Sequence, residues 1–158
     1  MIRIQNILVP VNFSEASQVA AVYAASLAQI HKARLYVLYA KAPFPVHGRI
    51  AAGYLENVQE HRIENEKTRL SRVIPEKMKN SISVEEIQVT GIPIQRVIIE
   101  KARNLNVDVI VMASQNRKGL MRFIKKDISA QVMQNAPCSV FVVRSPQNQD
   151  ASSSESDA

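Results

Sequence analysis

The chain has 158 residues, 46% of them apolar and 22% charged, which suits one domain with a real hydrophobic core. No run approaches the roughly 18 apolar residues that a membrane helix needs, and the single cysteine, Cys138, rules out an internal disulfide or a multi-cysteine metal site. The net charge is +6; the stretch from Ser145 to Ala158 holds three acids (Asp150, Glu155, Asp157) and no base, so the body before it is more basic still.

The opening, MIRIQNILVPV, lacks the charged region, long apolar run and small-residue cleavage site of a secretory signal, so a cytoplasmic protein is expected. QNILVPVN is a continuous, largely β-branched run and predicts the first strand. In SEASQVAAVYAASLAQIHK, Val19, Tyr23 and Leu27 recur at helical spacing with Ala20, Ala24 and Ile30 beside them, so a helix with this apolar stripe is expected. Ser14 is suited to cap that helix, and Glu15 to its first turn. RLYVLYA is a second strand. After the loop KAPFPVHGR, one charged helix is expected from about Ala51 to Lys79, and its segment EHRIENEKTRLSR reads as a solvated face. SVEEIQVT is a strand with weak alternation, punctuated by Gly91 and Pro93. IQRVIIEKARNL is helical, with Ile94, Val97, Ile98 and Ala102 on one side. VDVIVMA, a short helix over Ile128–Gln134, and SVFVVR complete the pattern. Met112, Met121 and Met133 are expected in or near the core. SPQNQDASSSESDA has no apolar period, which predicts a domain over residues 1–145 and a disordered serine-rich, acidic tail over 146–158.

Five apolar runs alternating with four helices imply right-handed βαβ units and a parallel sheet covered on both faces. Ligands of such sheets bind beyond the carboxyl ends of the strands, where the winding reverses. For a strand order of 3-2-1-4-5, that crevice lies between strands 1 and 4. Its walls are then VPVNFS and ASQNRKGLMRFIKKDIS, the second carrying Arg117, Lys118, Arg122, Lys125 and Lys126 but one glycine, Gly119.

NILVPVNFSEASQVAAVYAASLA, VTGIPIQRVIIEKARNLNVD, VDVIVMASQNRKGLMRF and NAPCSVFVVR resemble, in order, four blocks of the universal stress protein (UspA) family. The resemblance covers about residues 3 to 144. It implies a single flavodoxin-like α/β domain, of the adenine nucleotide alpha hydrolase-like kind, with a five-stranded parallel sheet in the order 3-2-1-4-5. It also implies a homodimer, commonly built around the last strand, and a role in stress survival. With no nucleophile–base pair, metal cluster or paired carboxylates in these loops, no enzyme is expected.

The ATP-binding members of that family carry Gly-x-x-Gly, nine residues, then Gly-Ser/Thr. Here those four positions fall on Ala113, Asn116, Lys126 and Asp127, and none matches. The family's aspartate in the first loop is Asn12, whereas Pro10, Phe13 and Ser14 agree with the family pattern. Glycine lets backbone amides approach phosphate, and side chains narrow that freedom. Asp127, at the start of the last helix, is expected to accept the free amides itself. Its charge would also repel a triphosphate by roughly 4 kcal/mol at an effective dielectric of 20, or near 1 kcal/mol in water, for charges about 4 Å apart. The candidate cleft comprises Pro10, Asn12, Phe13, Ser14, Ala40, Ala113, Asn116, Arg117, Lys126, Asp127 and Ile128. Weak or absent ATP binding is expected, and no cofactor; the alternative is an ATP or AMP sensor using the basic loop. Scarce aromatic residues disfavour nucleic acid as a partner, so the partners expected are a second copy and another protein. His31, His47 and His61 lack ligand spacing for a metal, and Cys138 is expected to be buried and inert.

Overall fold

The computed structural model describes residues 1–43, 52–114 and 127–144, with residues 52–59 described by their backbone alone. Five parallel strands form one sheet: β1 (Asn6–Pro10), β2 (Arg34–Lys41), β3 (Ser83–Thr90), β4 (Val109–Ala113) and β5 (Ser139–Val143), in the order β3-β2-β1-β4-β5. The helices are α1 (Glu15–His31), α2 (Ala52–Ser71), α3 (Glu76–Lys79), α4 (Ile94–Asn104) and α5 (Ile128–Asn135). The long charged helix expected over 51–79 is therefore two. Its chain turns between Ser71 and Glu76, where Val73 and Ile74 are buried and Pro75 caps the short α3. A proline lacks the amide that would continue the ladder, which is the physical reason for the break.

The strands at the centre are buried on both faces, as continuous Val/Ile/Leu runs require. One face, carrying Ile7, Val9, Leu35, Val37 and Val111, packs under α1 and the end of α2. The other, carrying Leu8, Leu38, Ile110 and Met112, packs under α4 and α5. β3 and β5 are the edges and are only half covered, so the expectation of two buried faces fails for them.

The buried side of α1 is the expected stripe only in part: Ala20 and Ala24 are buried, and Val19 and Leu27 pack against the core. Ala20, Ala21, Ala24, Ala25 and Ala28 are fully buried, while Tyr23 is 50% exposed and Ile30 is 74% exposed. Small side chains let the helix backbone approach the sheet, and Tyr23 is turned toward the β5 edge. There the Tyr23 and Phe141 rings lie 6.5 Å apart. Met133 is likewise half exposed on α5 rather than in the core, whereas Met112 is buried as expected.

The amino-terminal strand is fastened by Asp108, whose carboxylate accepts from the amides of Gln5 at 2.7 Å and Asn6 at 2.9 Å. The loop KAPFPVHGR beyond Pro43, the basic loop from residue 115 to Lys126 with its Met121, and the tail after Arg144 lie outside the described residues.

The alanine face gives a direct test. Ala24→Leu inserts bulk where α1 meets the sheet and is expected to cost about 1–3 kcal/mol by urea unfolding, whereas Tyr23→Leu on the opposite side is expected to change stability by less than about 1 kcal/mol.

Candidate functional site

The carboxyl ends of β1 and β4 meet the amino ends of α1 and α5, and each helix begins with a filled cap. At α1, Ser14 Oγ accepts from the Ser17 amide at 3.2 Å. Asn12 Oδ1 in turn accepts from the Ser14 amide at 3.1 Å and from Ser14 Oγ at 2.6 Å. The buried Ser17 hydroxyl donates to the Ser14 carbonyl at 2.9 Å. At α5, Asp127 Oδ1 accepts from the Ser129 amide at 3.0 Å and from Ser129 Oγ at 2.7 Å. Each capping oxygen takes an amide that a helix start would otherwise offer to an anion.

Pro10, Asn12, Phe13 and Ser14 follow one another out of β1; Ala113 ends β4, and Asp127 and Ile128 begin α5. Ala40, near the end of β2, packs against the core on the α4 side. Asn116, Arg117 and Lys126 lie outside the described residues.

Phe13 turns away from a simple loop role. Its φ is 62°, a left-handed backbone that costs an aromatic residue about 1–3 kcal/mol. The ring is held on two sides: the Tyr39 ring centroid lies 4.5 Å away, and the Arg69 guanidinium sits 4.3 Å from the Phe13 centroid. A cation over an aromatic face contributes about 0.5–1 kcal/mol at an exposed site.

One turn before Arg69, Glu66 is only 6% exposed, a buried charge in a segment of α2 whose other charged residues are exposed, as expected of a solvated face. Its carboxylate takes Arg62 Nε at 2.9 Å, the ammonium group of Lys41 and the hydroxyl of Tyr39 at 3.4 Å. Burial alone would raise the Glu66 pKa, but the hydrogen bonds and charges of Lys41 and Arg62 outweigh it and hold the group below the usual carboxylate value. Burial, then the neighbouring Glu66 charge, pushes the Tyr39 phenol up. Lys41 and Tyr39 alternate on β2 and so share a face. Glu66 precedes the buried Leu70 by one helical turn, and that spacing was the sequence signal for its burial. Beside them in the ladder, Gln88 pairs with Tyr39, and its buried side-chain amide nitrogen has no partner among the described residues.

Cys138 is half buried at the entrance to β5; burial, then the charge of Asp108, pushes its thiol up, which disfavours the reactive thiolate. Among the described residues, no group of three or more His, Cys, Asp or Glu side chains is placed to hold a metal ion. Nor is any helix long and apolar enough to cross a membrane.

The sequence profile of the universal stress protein family matches residues 3–144. The chain belongs to that family. Universal stress protein MJ0531 of Methanocaldococcus jannaschii is 28% identical over 145 residues, which span 92% of this chain and 85% of the relative. Among solved structures, the universal stress protein UspA from Lactobacillus plantarum superposes with a TM-score of 0.68 at 27% identity, covering 91% of this chain and all of that one. A universal stress protein in complex with cAMP has the same fold, with a TM-score of 0.67 at 21% identity over 90% of this chain and 98% of its own. The sheet order expected of the family is the one observed.

Within this stress-protein scaffold, Glu66 supplies the sharpest electrostatic test. Glu66→Gln leaves Lys41 and Arg62 without their shared carboxylate and is expected to cost about 1–3 kcal/mol at neutral pH. Because the folded-state pKa of Glu66 is depressed, its contribution is present above the ordinary glutamate value of about 4.3 and is lost as pH falls through the lower folded value. Urea unfolding from pH 7 to pH 3 should therefore show the wild type and Glu66→Gln converging at the acid end.

Proposed function

We propose that this chain is a dimeric cytoplasmic stress-response protein that works through contacts with other proteins, catalyses no reaction and binds ATP weakly or not at all. The observation that carries the dimer is where large apolar side chains remain exposed. Tyr23 on α1 lies beside Phe141 of β5, and Ile128 and Met133 lie on α5, which packs against β5 from the other side. β5 itself is an unpaired edge. An exposed apolar edge invites pairing with another chain, and isologous pairing of two copies removes that liability.

The case for weak ATP binding rests on Asp127. Its carboxylate bonds the first-turn amide of α5 and brings negative charge to the place where a phosphate would seek positive potential. Even the repulsion of about 1 kcal/mol expected in water is close to a tenfold loss in affinity. Asn12 and Ser14 consume each other's hydrogen-bonding capacity on the opposite wall.

A second reading, a nucleotide-responsive sensor that uses the basic residues between Asn116 and Lys126, is favoured by the relative solved with cAMP. Thermal unfolding with ATP, AMP or cAMP separates the two. A nucleotide at 100 times its dissociation constant adds about 2.7 kcal/mol of stability; the proposal expects no such gain from ATP at millimolar concentration. Calorimetry that gave a micromolar dissociation constant for ATP would overturn it.

The dimer has its own test. The Ser114 amide donates to the Val143 carbonyl at 2.8 Å, so Val143 faces β4 and Val142 turns its amide outward. Val142→Pro thus removes an outward donor while sparing the β4 ladder. Native mass spectrometry is expected to show dimer for the wild type and monomer or aggregate for the variant. A dimer of unchanged stability in Val142→Pro would place the interface elsewhere.

A further inference from the structure

β3 forms the other edge of the sheet, and its chemistry changes along its length. Glu85 and Glu86 are exposed near its start, with Glu86 paired to Lys79 at 3.1 Å. Charges on an edge guard it against pairing with another chain. From Ile87 to Thr90 the strand carries no charge. The backbone bonds there are directional: the Gly91 amide donates to the Lys41 carbonyl at 2.9 Å, so Gly91 and Val89 face β2. By the alternation of a parallel ladder, Gln88 and Thr90 turn their amides and carbonyls outward.

The unguarded half of this edge opens onto a cavity of about 250 Å³ between β3 and α4. Helix α4 packs over β2 rather than over the edge strand, which leaves this space uncovered. Val89 and Val97 line it, and Ile92 beside them is 67% exposed. Gly91 allows the turn to lie close to the helix, since a Cβ there would stand 2.9 Å from Val97 Cγ2. On the rim, Arg96 pairs with Glu100 at 3.4 Å, whereas Lys101 makes no salt bridge among the described residues.

We propose that this edge and cavity form a docking site for an extended segment of a partner protein that carries an acidic side chain beside apolar ones. The segment would add as a sixth strand, pairing its backbone with Gln88 and Thr90. An apolar side chain would enter the cavity against Val89 and Val97, and a carboxylate would reach Lys101. Main-chain bonds supply affinity in such strand addition, and pockets for alternate side chains supply specificity. The charge complementarity fixes the sign: one unpaired ammonium group lies at the cavity, and the carboxylates of the edge stand at its far end. This names a partner class for the protein contacts proposed above and rests on that reading, yet it involves neither β5 nor the β1/β4 cleft. Its failure would leave the dimer and the ATP tests standing, and theirs would leave this test standing.

Selection of random linear peptides displayed on phage against the full-length protein, with Lys101→Glu as the counter-target, tests it. Enriched peptides are expected to carry Asp or Glu flanked by β-branched residues and to shift the amide resonances of Gln88 and Thr90. Their affinity is expected to fall about tenfold or more on Lys101→Glu and again on Thr90→Pro, which removes an outward amide without touching the β2 ladder. If Thr90→Pro does not fold, N-methylation of the peptide backbone blocks the same bonds from the other side. No enrichment over Lys101→Glu, or enriched peptides whose binding either block leaves unchanged, would overturn the proposal.

Discussion

The start of a helix must find partners for its free amides, and at α5 the partner is the side chain of Asp127. That one hydrogen bond sets the character of the cleft. The serine or threonine expected at this position in ATP-binding members would cap the helix without adding a charge. An aspartate takes the Ser129 amide from within the chain and places a negative charge beside it. The opposite wall is built on the same plan, with Asn12, Ser14 and Ser17 satisfying one another around the start of α1. Both helix starts thus find hydrogen-bond partners within the chain, which supports the proposal of weak or absent ATP binding.

A second fastening lies behind the first wall. Glu66 ties α2 to the end of β2 through Lys41 and Tyr39, and Arg69, nearly one turn on, lies over the ring of Phe13. The strained residue of the first loop is therefore held by the same helix that the buried carboxylate anchors. Removing one partner from such a cluster costs more than the pair contributes, because the remaining charges stay desolvated. The arrangement couples the geometry of the cleft wall to the seating of α2.

Much of the fold was legible because each of its rules is local. The apolar runs marked the strands, and Ser14 and Asp127 marked helix starts. The strand order was not readable from spacing; it came with the resemblance to the family, and the sheet has that order. The sequence misled where packing overrode pattern. Alanines at positions 20, 21, 24, 25 and 28 bury α1, while Tyr23 faces the β5 edge and Ile30 is exposed, because close approach favours small side chains over large ones. Charge density concealed Glu66, although its place one turn before the buried Leu70 put it on the inner face. Pro75 marked the break between α2 and α3, but the helical pattern on either side masked it. Of the candidate cleft, the capping residues were legible from type and position, whereas the stack of Tyr39, Phe13 and Arg69 depends on contacts across 26 or more residues, which no local pattern encodes.

The central claim is that the amino end of α5 is already occupied by Asp127. The amide resonance of Ser129 reports on that bond directly. During a titration with magnesium ATP into the wild-type protein, the account predicts that this resonance keeps its position and its slow hydrogen exchange up to millimolar nucleotide. A shift that saturates at micromolar ATP, with the Asp127 carboxylate displaced from the amide, would contradict it.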